Sequence, residues 1–209
     1  DGIPNGGSGY GGGAKANRYL DTANLRTVTV SQGTADIASR ALDALGGTID
    51  FVSDDPEEEA RIRFQGSAGE YDAERYYVRL DTGRLASGTR AWFSASHQSA
   101  SDWVNGAAEN ERDHLAAKMI SEIGNTDITA YISYDDTHED NYQRLFSPEE
   151  FRSNPEWDRL TDIWTGIPYV DQVYRRGWST LRENLLAYVK SSMELSSDVR
   201  LSVGGYYHD

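Results

Sequence analysis

Apolar and polar residues alternate with a period of two along much of the chain beyond residue 60. In NTDITAYISYDD, residues 125–136, Ile128, Ala130, Ile132 and Tyr134 fall on one side of an extended chain. Asp127, Thr129, Tyr131, Ser133 and Asp135 fall on the other. This is the signature of a β-strand with one apolar and one polar face. The same pattern sets Ile62 and Phe64 against Arg61, Arg63 and Gln65, and Tyr76, Val78 and Leu80 against Arg75, Tyr77, Arg79 and Asp81. It sets Ala91, Phe93 and Ala95 against Arg90, Trp92 and Ser94, and Leu185, Ala187, Val189 and Met193 against Tyr188, Lys190 and Glu194. Finally, Val199, Leu201 and Val203 oppose Arg200 and Ser202. Each run has about the length that a tilted strand needs to cross a bilayer. The apolar faces therefore meet either a water-free protein core or lipid.

One segment carries two patterns. ENERDHLAAKMISEIG, residues 109–124, alternates Leu115, Ala117 and Met119 against Lys118 and Glu122. It also begins with acids, spaces Leu115 and Met119 four apart and ends on Gly124, which reads as a helix, the state that propensity alone favours. Strand and helix both stay open here. The connections are sorted by length. TGRLASGT, IGNTD and SSD are short, whereas SASDWVNGAAENERD and the stretch from Thr137 to about Arg176 are long. Outer-membrane barrels join strands by short turns on one side and longer loops on the other. The connection around GSAGEYD is short and fits that sorting less well.

The first 59 residues have a different texture. Residues 1–16 are glycine-rich and read as a loop, without the spacing of a phosphate-binding motif. Leu25, Val28 and Val30 lie in a β-rich run closed by Gly33; Ile37, Ala41 and Leu45 have helical spacing; TIDFVS is a short strand. DDPEEE is an acidic, proline-marked break, and a domain boundary is placed there.

Composition narrows the classes. Of 209 residues 38% are hydrophobic and the formal net charge is −14. No run approaches the length of an apolar spanning helix, whereas a membrane β-barrel keeps a polar average because only one face of each strand is apolar. The acidic balance argues against nucleic acid as a partner. The lack of cysteine excludes thiolate metal sites and cysteine nucleophiles. The four histidines, His97, His114, His138 and His208, sit in no hydrolytic motif, so no enzyme activity and no cofactor are expected. Asp135, Asp136, His138, Glu139 and Asp140 offer oxygen and imidazole ligands but match no calcium loop, and a solvated loop stem is expected there rather than a metal site.

The motifs DGIPNGG, NRYLDTANLRTVTVSQGTADI and ALDALGGTIDFVSDDP, followed by RAWFSASHQSASDWVNG and HLAAKMISEIG, resemble the later half of the plug domain and the first barrel strands of a TonB-dependent outer-membrane receptor. Many members end the plug strand as Leu-Arg-Gly-Pro; here Gln32 and Thr34 stand in those places, so an arginine latch is not expected at that position. The resemblance implies a mainly β protein: part of a mixed α+β plug at 1–59, then roughly seven antiparallel strands of a barrel of about 22 at 60–209, with a long extracellular loop at about 137–176. Seven open strands would leave unpaired edges in hydrocarbon, so the chain is expected to be part of a longer polypeptide.

The implied function is active uptake of a scarce nutrient, most often an iron–siderophore chelate, across the outer membrane of a Gram-negative bacterium. Energy would come through the periplasmic coupling protein TonB, and the implied partners are outer-membrane lipid and the small-molecule substrate. Asn5 and Tyr10 on the apex loop, and Tyr142, Trp157, Trp164, Tyr169 and Tyr174 on the long loop, are the candidate substrate contacts, because aromatic groups grip chelates by apolar contact and stacking. These aromatics equally serve to give a long loop its own core. Arg61, Arg63, Arg75, Arg79, Lys118, Glu122 and Arg200 are candidates to line a lumen. The rival reading is a soluble, acidic, extracellular β-rich module for glycans, with sheets packed face to face and 109–124 as a surface helix. A third is a small complete barrel without transport function.

Overall fold

A computed structural model describes residues 1–4, 18–33, 46–104, 108–143 and 147–209. Two sheets organise them. Strands β1 (Leu25–Gln32) and β2 (Gly47–Ser53) form an antiparallel pair. Strands β3 (Ala60–Ala68), β4 (Glu74–Thr82), β5 (Thr89–Ser101), β6 (Glu109–Ile123), β7 (Thr126–Glu139), β8 (Thr180–Ser196) and β9 (Val199–His208) form a seven-stranded antiparallel meander in chain order. The helix expected around Ile37–Leu45, and the glycine-rich loop with Asn5 and Tyr10, lie outside the described residues.

The open segment is a strand. All of β6 from Asn110 to Ile123 is paired to β7, and Glu109 to Ser121 is paired to β5. Two full ladders satisfy its backbone, and that outweighs a helix propensity worth only tenths of a kcal/mol per residue. The long connection expected at 99–113 is shorter than its composition suggests. The ladder continues to Ser101↔Glu109, leaving residues 102–108 as the link. On the other side β4–β5, β6–β7 and β8–β9 are joined by residues 83–88, 124–125 and 197–198. The loop expected at 137–176 runs over 140–179, since β7 and β8 pair out to Glu139↔Thr180.

The two faces of the large sheet are used in the opposite sense to a water-soluble sandwich. The polar face is covered. Tyr77, Arg79, Trp92, Ser94, His114, Lys118, Tyr131, Ser133, Asp135 and Tyr188 are buried there under residues 1–4, 18–24 and 46–59. The apolar face is bare: Ile62 is 74% exposed, Phe93 55%, Leu115 54%, Ile132 49% and Val189 54%. The core is a polar-edged aromatic layer in which Tyr131 stacks on Tyr188 (5.3 Å) and meets Trp92 edge-on (6.1 Å), with Tyr19, Ala116 and Leu186 completing it.

Candidate functional site

The N-terminal segment, residues 1–59, is held to the inner face of the sheet by two groups of contacts. The lower group lies towards the short turns, where the chain passes from β2 into β3. Arg79 is fully buried; its Nε and Nη2 donate to Asp81 (2.9 and 2.8 Å), Nη1 to Asp54 (3.0 Å) and Nη2 also to the Asp55 carbonyl (3.0 Å). Its guanidinium lies over Trp92, whose indole N–H donates to the Asp54 carbonyl at 2.9 Å. Lys118 reaches Asp55 (2.7 Å) and the Ser53 carbonyl (3.1 Å). Burial alone would raise the Asp55 carboxyl, but the hydrogen bond and charge of Lys118, with Arg26 and Arg90 nearby, hold it below the usual carboxylate range. Glu58 is depressed by the hydrogen bond from Arg84, opposed by slight desolvation and reinforced by Arg90. Thus the acidic run DDPEEE is a strap clasped by the wall, with its own Pro56 fully buried.

The upper group holds residues 19–24. Asp21 accepts from Ser96 Oγ (2.5 Å) and from Arg75 (2.7 Å), while the single 3₁₀ turn Thr22–Asn24 is capped through the bond from the Ala23 N–H to Asp21 (2.8 Å). Desolvation opposes ionisation of Asp21, yet these hydrogen bonds and the Arg75 charge keep its carboxyl below the usual range. Asn24 donates to Ser94 and accepts from Tyr77 OH. Ser133 donates to the Tyr19 carbonyl (2.9 Å) and Arg112 Nη2 to the Leu20 carbonyl (2.8 Å).

Directly beside the upper group lies a polar cavity of about 270 Å³ lined by Arg18, Gln98, Asn110, Glu111, Arg112, Asp135, Thr137, Glu139 and Arg182. Arg182 pairs with Glu139 (2.7 Å). Asp135, 1% exposed, accepts from Arg112 Nε (2.6 Å) and Thr137 Oγ1 (3.0 Å) and bonds His114 Nδ1 (3.0 Å). His114 Nε2 is buried with no partner. Three guanidinium groups, three carboxylates and several amide and hydroxyl groups converge on one opening. That set can coordinate a polar ligand of mixed charge through several simultaneous hydrogen bonds.

The sequence-based candidates are distributed between these places. Arg75, Arg79 and Lys118 face the N-terminal segment. Arg61 and Arg63 pair with Glu57 at 3.2 and 3.4 Å. Glu122 pairs with Arg84 near the short turns, and Arg200 pairs with Glu194 at the open edge. The aromatic candidates share the loop 140–179. Trp164 packs edge-on against Tyr174 (5.2 Å), whereas Tyr169 is 77% exposed. That loop is organised by Arg175, buried and bonded to Asp158, Asp162 and the Asn141 carbonyl. It also carries a short helix, α1 (Pro148–Ser153), opened by a Ser147–Glu150 capping box. Sequence reasoning missed Arg175 and the cavity residues Arg112, Asp135 and Arg182. The Ser-Pro-Glu-Glu spacing was a legible signal for α1. Asp135 belongs to the wall rather than to an acidic loop stem, and among the described residues no cluster suits a metal ion.

No protein-family model matches the sequence, and no characterised protein matches it in sequence. Solved structures do. The chain superposes on the siderophore receptor PiuA from Acinetobacter baumannii with a TM-score of 0.66 at 15% identity, covering 88% of this chain and 26% of that one. It superposes on FpvAI from its complex with pyocin S2 with a TM-score of 0.67 at 15% identity, covering 94% and 26%. For the ferripyoverdine receptor of the outer membrane of Pseudomonas aeruginosa, bound to ferripyoverdine, the values are 0.60, 16%, 83% and 22%. The fold is therefore that of part of these outer-membrane receptors, in agreement with the motifs that resemble TonB-dependent receptors, and the matched proteins are receptors rather than enzymes. The chain spans about a quarter of the length of these structures.

Proposed function

We propose that the chain is part of a TonB-dependent receptor that takes up an iron–siderophore chelate across the outer membrane of a Gram-negative bacterium. In this reading residues 1–59 are the later part of the plug, residues 60–209 are the first strands of a barrel of about 22, and the loop 140–179 is extracellular. TonB would act through a segment outside this chain.

The observation that carries the reading is the inverted sheet. A water-soluble sandwich buries its apolar face; here that face is bare across all seven strands while charged residues are buried under the N-terminal segment. The outward row Phe93–Ala117–Ile132–Ala187–Tyr207 contains no charge. Charge returns on this face only nearer the long loops, in the row His97–Asp113–Asp136–Glu183. An uncharged band bounded by a charged rim suits lipid followed by headgroups, and the rival glycan module gives no reason for it.

Arg61, Arg63, Arg75, Arg79, Lys118, Glu122 and Arg200 then belong to the lumen side. The polar cavity, together with Asn5 and Tyr10 of the apex loop and Tyr142, Trp157, Trp164, Tyr169 and Tyr174 of the outer loop, forms the substrate path. The test is deletion of the gene in its host, followed by growth on a panel of ferric siderophores as sole iron source and radioiron uptake. Loss of uptake for one chelate, restored by the gene and dependent on TonB, is expected. Full uptake of every chelate, or a full-length protein that stays dispersed without detergent, refutes it.

A further inference from the structure

We propose that Arg112 couples occupancy of the polar cavity to the hold that the wall keeps on residues 18–24, an inference that rests on the uptake reading above. Arg112 belongs to two structures at once. Its guanidinium lines the cavity, and the same group ties the N-terminal segment by donating from Nη2 to the Leu20 carbonyl at 2.8 Å. Asp135 fixes its position. The carboxylate takes Arg112 Nε at 2.6 Å, is itself 1% exposed, and is braced by Thr137 and His114. With Nε held, Nη2 is the nitrogen for which the Leu20 carbonyl and a bound ligand compete.

A neutral peptide carbonyl is the weaker choice. The bond to the Leu20 carbonyl is charged on the donor side only, whereas an anionic acceptor adds the Coulomb attraction of an ion pair to the same hydrogen-bond geometry. An oxyanion of a bound chelate, a carboxylate or hydroxamate oxygen, therefore competes with Leu20 for the same donor. Two residues upstream, Arg18 also lines the cavity, so such a ligand meets a guanidinium from each side of the junction. The neighbouring His114 Nε2 is buried and unpartnered, and an atom in that state gains from any rearrangement that brings it a partner or water. The junction thus contains one tie, from Arg112 Nη2 to the Leu20 carbonyl, that a ligand anion can displace. Residues 18–24 carry Asp21 and Asn24, so a change at Leu20 is passed directly into the upper group of contacts.

The experiment is hydrogen exchange, read by mass spectrometry, on peptides spanning residues 18–24 of the full-length receptor. It is run with and without ferripyoverdine and other carboxylate-bearing ferric chelates, with binding followed by tryptophan fluorescence. In the wild type, binding is expected to raise exchange of this segment about tenfold, the scale of one charge-assisted hydrogen bond. Arg112→Gln should raise it by a similar factor without ligand and erase the ligand-induced step. Arg112→Lys, a point cation unable to hold Asp135 and Leu20 together, should erase the step as well, with exchange across residues 113–123 unchanged to show an intact wall. A chelate that binds without altering exchange, or an Arg112→Gln protein with wild-type exchange, overturns the coupling and leaves the uptake reading standing. If no chelate binds, the uptake reading fails and the coupling falls with it.

Discussion

Arg79→Met is expected to free residues 54–58 from the wall. Arg79 and Asp81 have fully buried side chains, and Asp54, the second partner, is 31% exposed. Removing one member of a buried pair costs about 3–5 kcal/mol because the other charge is left uncompensated. Water screens Asp54, so the stranded charge is chiefly that of Asp81 and the lower figure, about 3 kcal/mol, applies. Methionine retains part of the contact with Trp92 but none of the bonds to Asp54, Asp81 and the Asp55 carbonyl. The direct reporter is the Glu57 amide, which donates to Asp81 Oδ1 at 3.0 Å. With about 1.4 kcal/mol per factor of ten, its exchange should accelerate roughly 150-fold. Arg79→Met combined with Asp81→Asn removes the stranded charge and keeps an acceptor for Glu57, so it should recover at least half of the loss in log units. An acceleration below tenfold in the single variant, or no recovery in the double one, refutes the assignment of Arg79 as the anchor.

Other perturbations address separate links of the chain from sequence to function. Ile132→Lys should destabilise the full-length protein refolded into liposomes by about 2–4 kcal/mol if this face meets lipid at mid-depth, whereas a water-facing site should lose almost nothing. Asp21 has a folded pKa below its unfolded value, so its contribution is present above about pH 4 and is lost as pH falls through the folded value. Exchange of residues 18–24 should therefore rise only on strong acidification, and Asp21→Asn should flatten that dependence. Arg175→Met leaves Asp158, 5% exposed, without its cation; loop 140–179 should become protease-sensitive, by about 3–5 kcal/mol of local stability, while the wall keeps its heat resistance. Gly47 has φ +121°, and a Cβ there would lie 2.1 Å from the Ser31 carbonyl oxygen, so Gly47→Ala should open the β1–β2 pair. The backbone term alone is about 1–3 kcal/mol, measurable as lost amide protection in Val28–Gln32.

Period-two alternation was enough to place six of the seven strands of the large sheet and to sort their faces, because the rule needs only local chemistry. It could not decide 109–124, where Leu115, Ala117 and Met119 satisfy both periods; the decision came from the ladders to β5 and β7, which are non-local. The same limit explains the site. Arg79 and Asp81 could be seen to share a face, but their third partner, Asp54, sits 25 residues upstream across a strand junction. Asp135 read as one of a run of acids at a loop stem, and only the register with His114 and Arg112 shows it to be buried. The loop aromatics were visible as residue types, whereas the arginine that organises them has partners at Asp158 and Asp162 that spacing does not reveal.

The distribution of charge across the junction has a consequence for assembly. Among the described residues, every ion pair joining the N-terminal segment to the wall has its acid on the segment and its base on the wall: Asp21, Asp54, Asp55, Glu57 and Glu58 against Arg61, Arg63, Arg75, Arg79, Arg84, Arg90 and Lys118. Without the segment, Arg79 and Arg84 would keep Asp81 and Glu122, but Arg61, Arg63, Arg75, Arg90 and Lys118 would lose the acids that face them, and bringing those bases together would work against their mutual repulsion. The acidic strap is thus the counter-ion of the sheet that follows it in the chain. In the proposed barrel, closure of the wall and seating of the segment are thereby coupled, and a sheet made without residues 54–58 should curl poorly even though none of its own strands has changed.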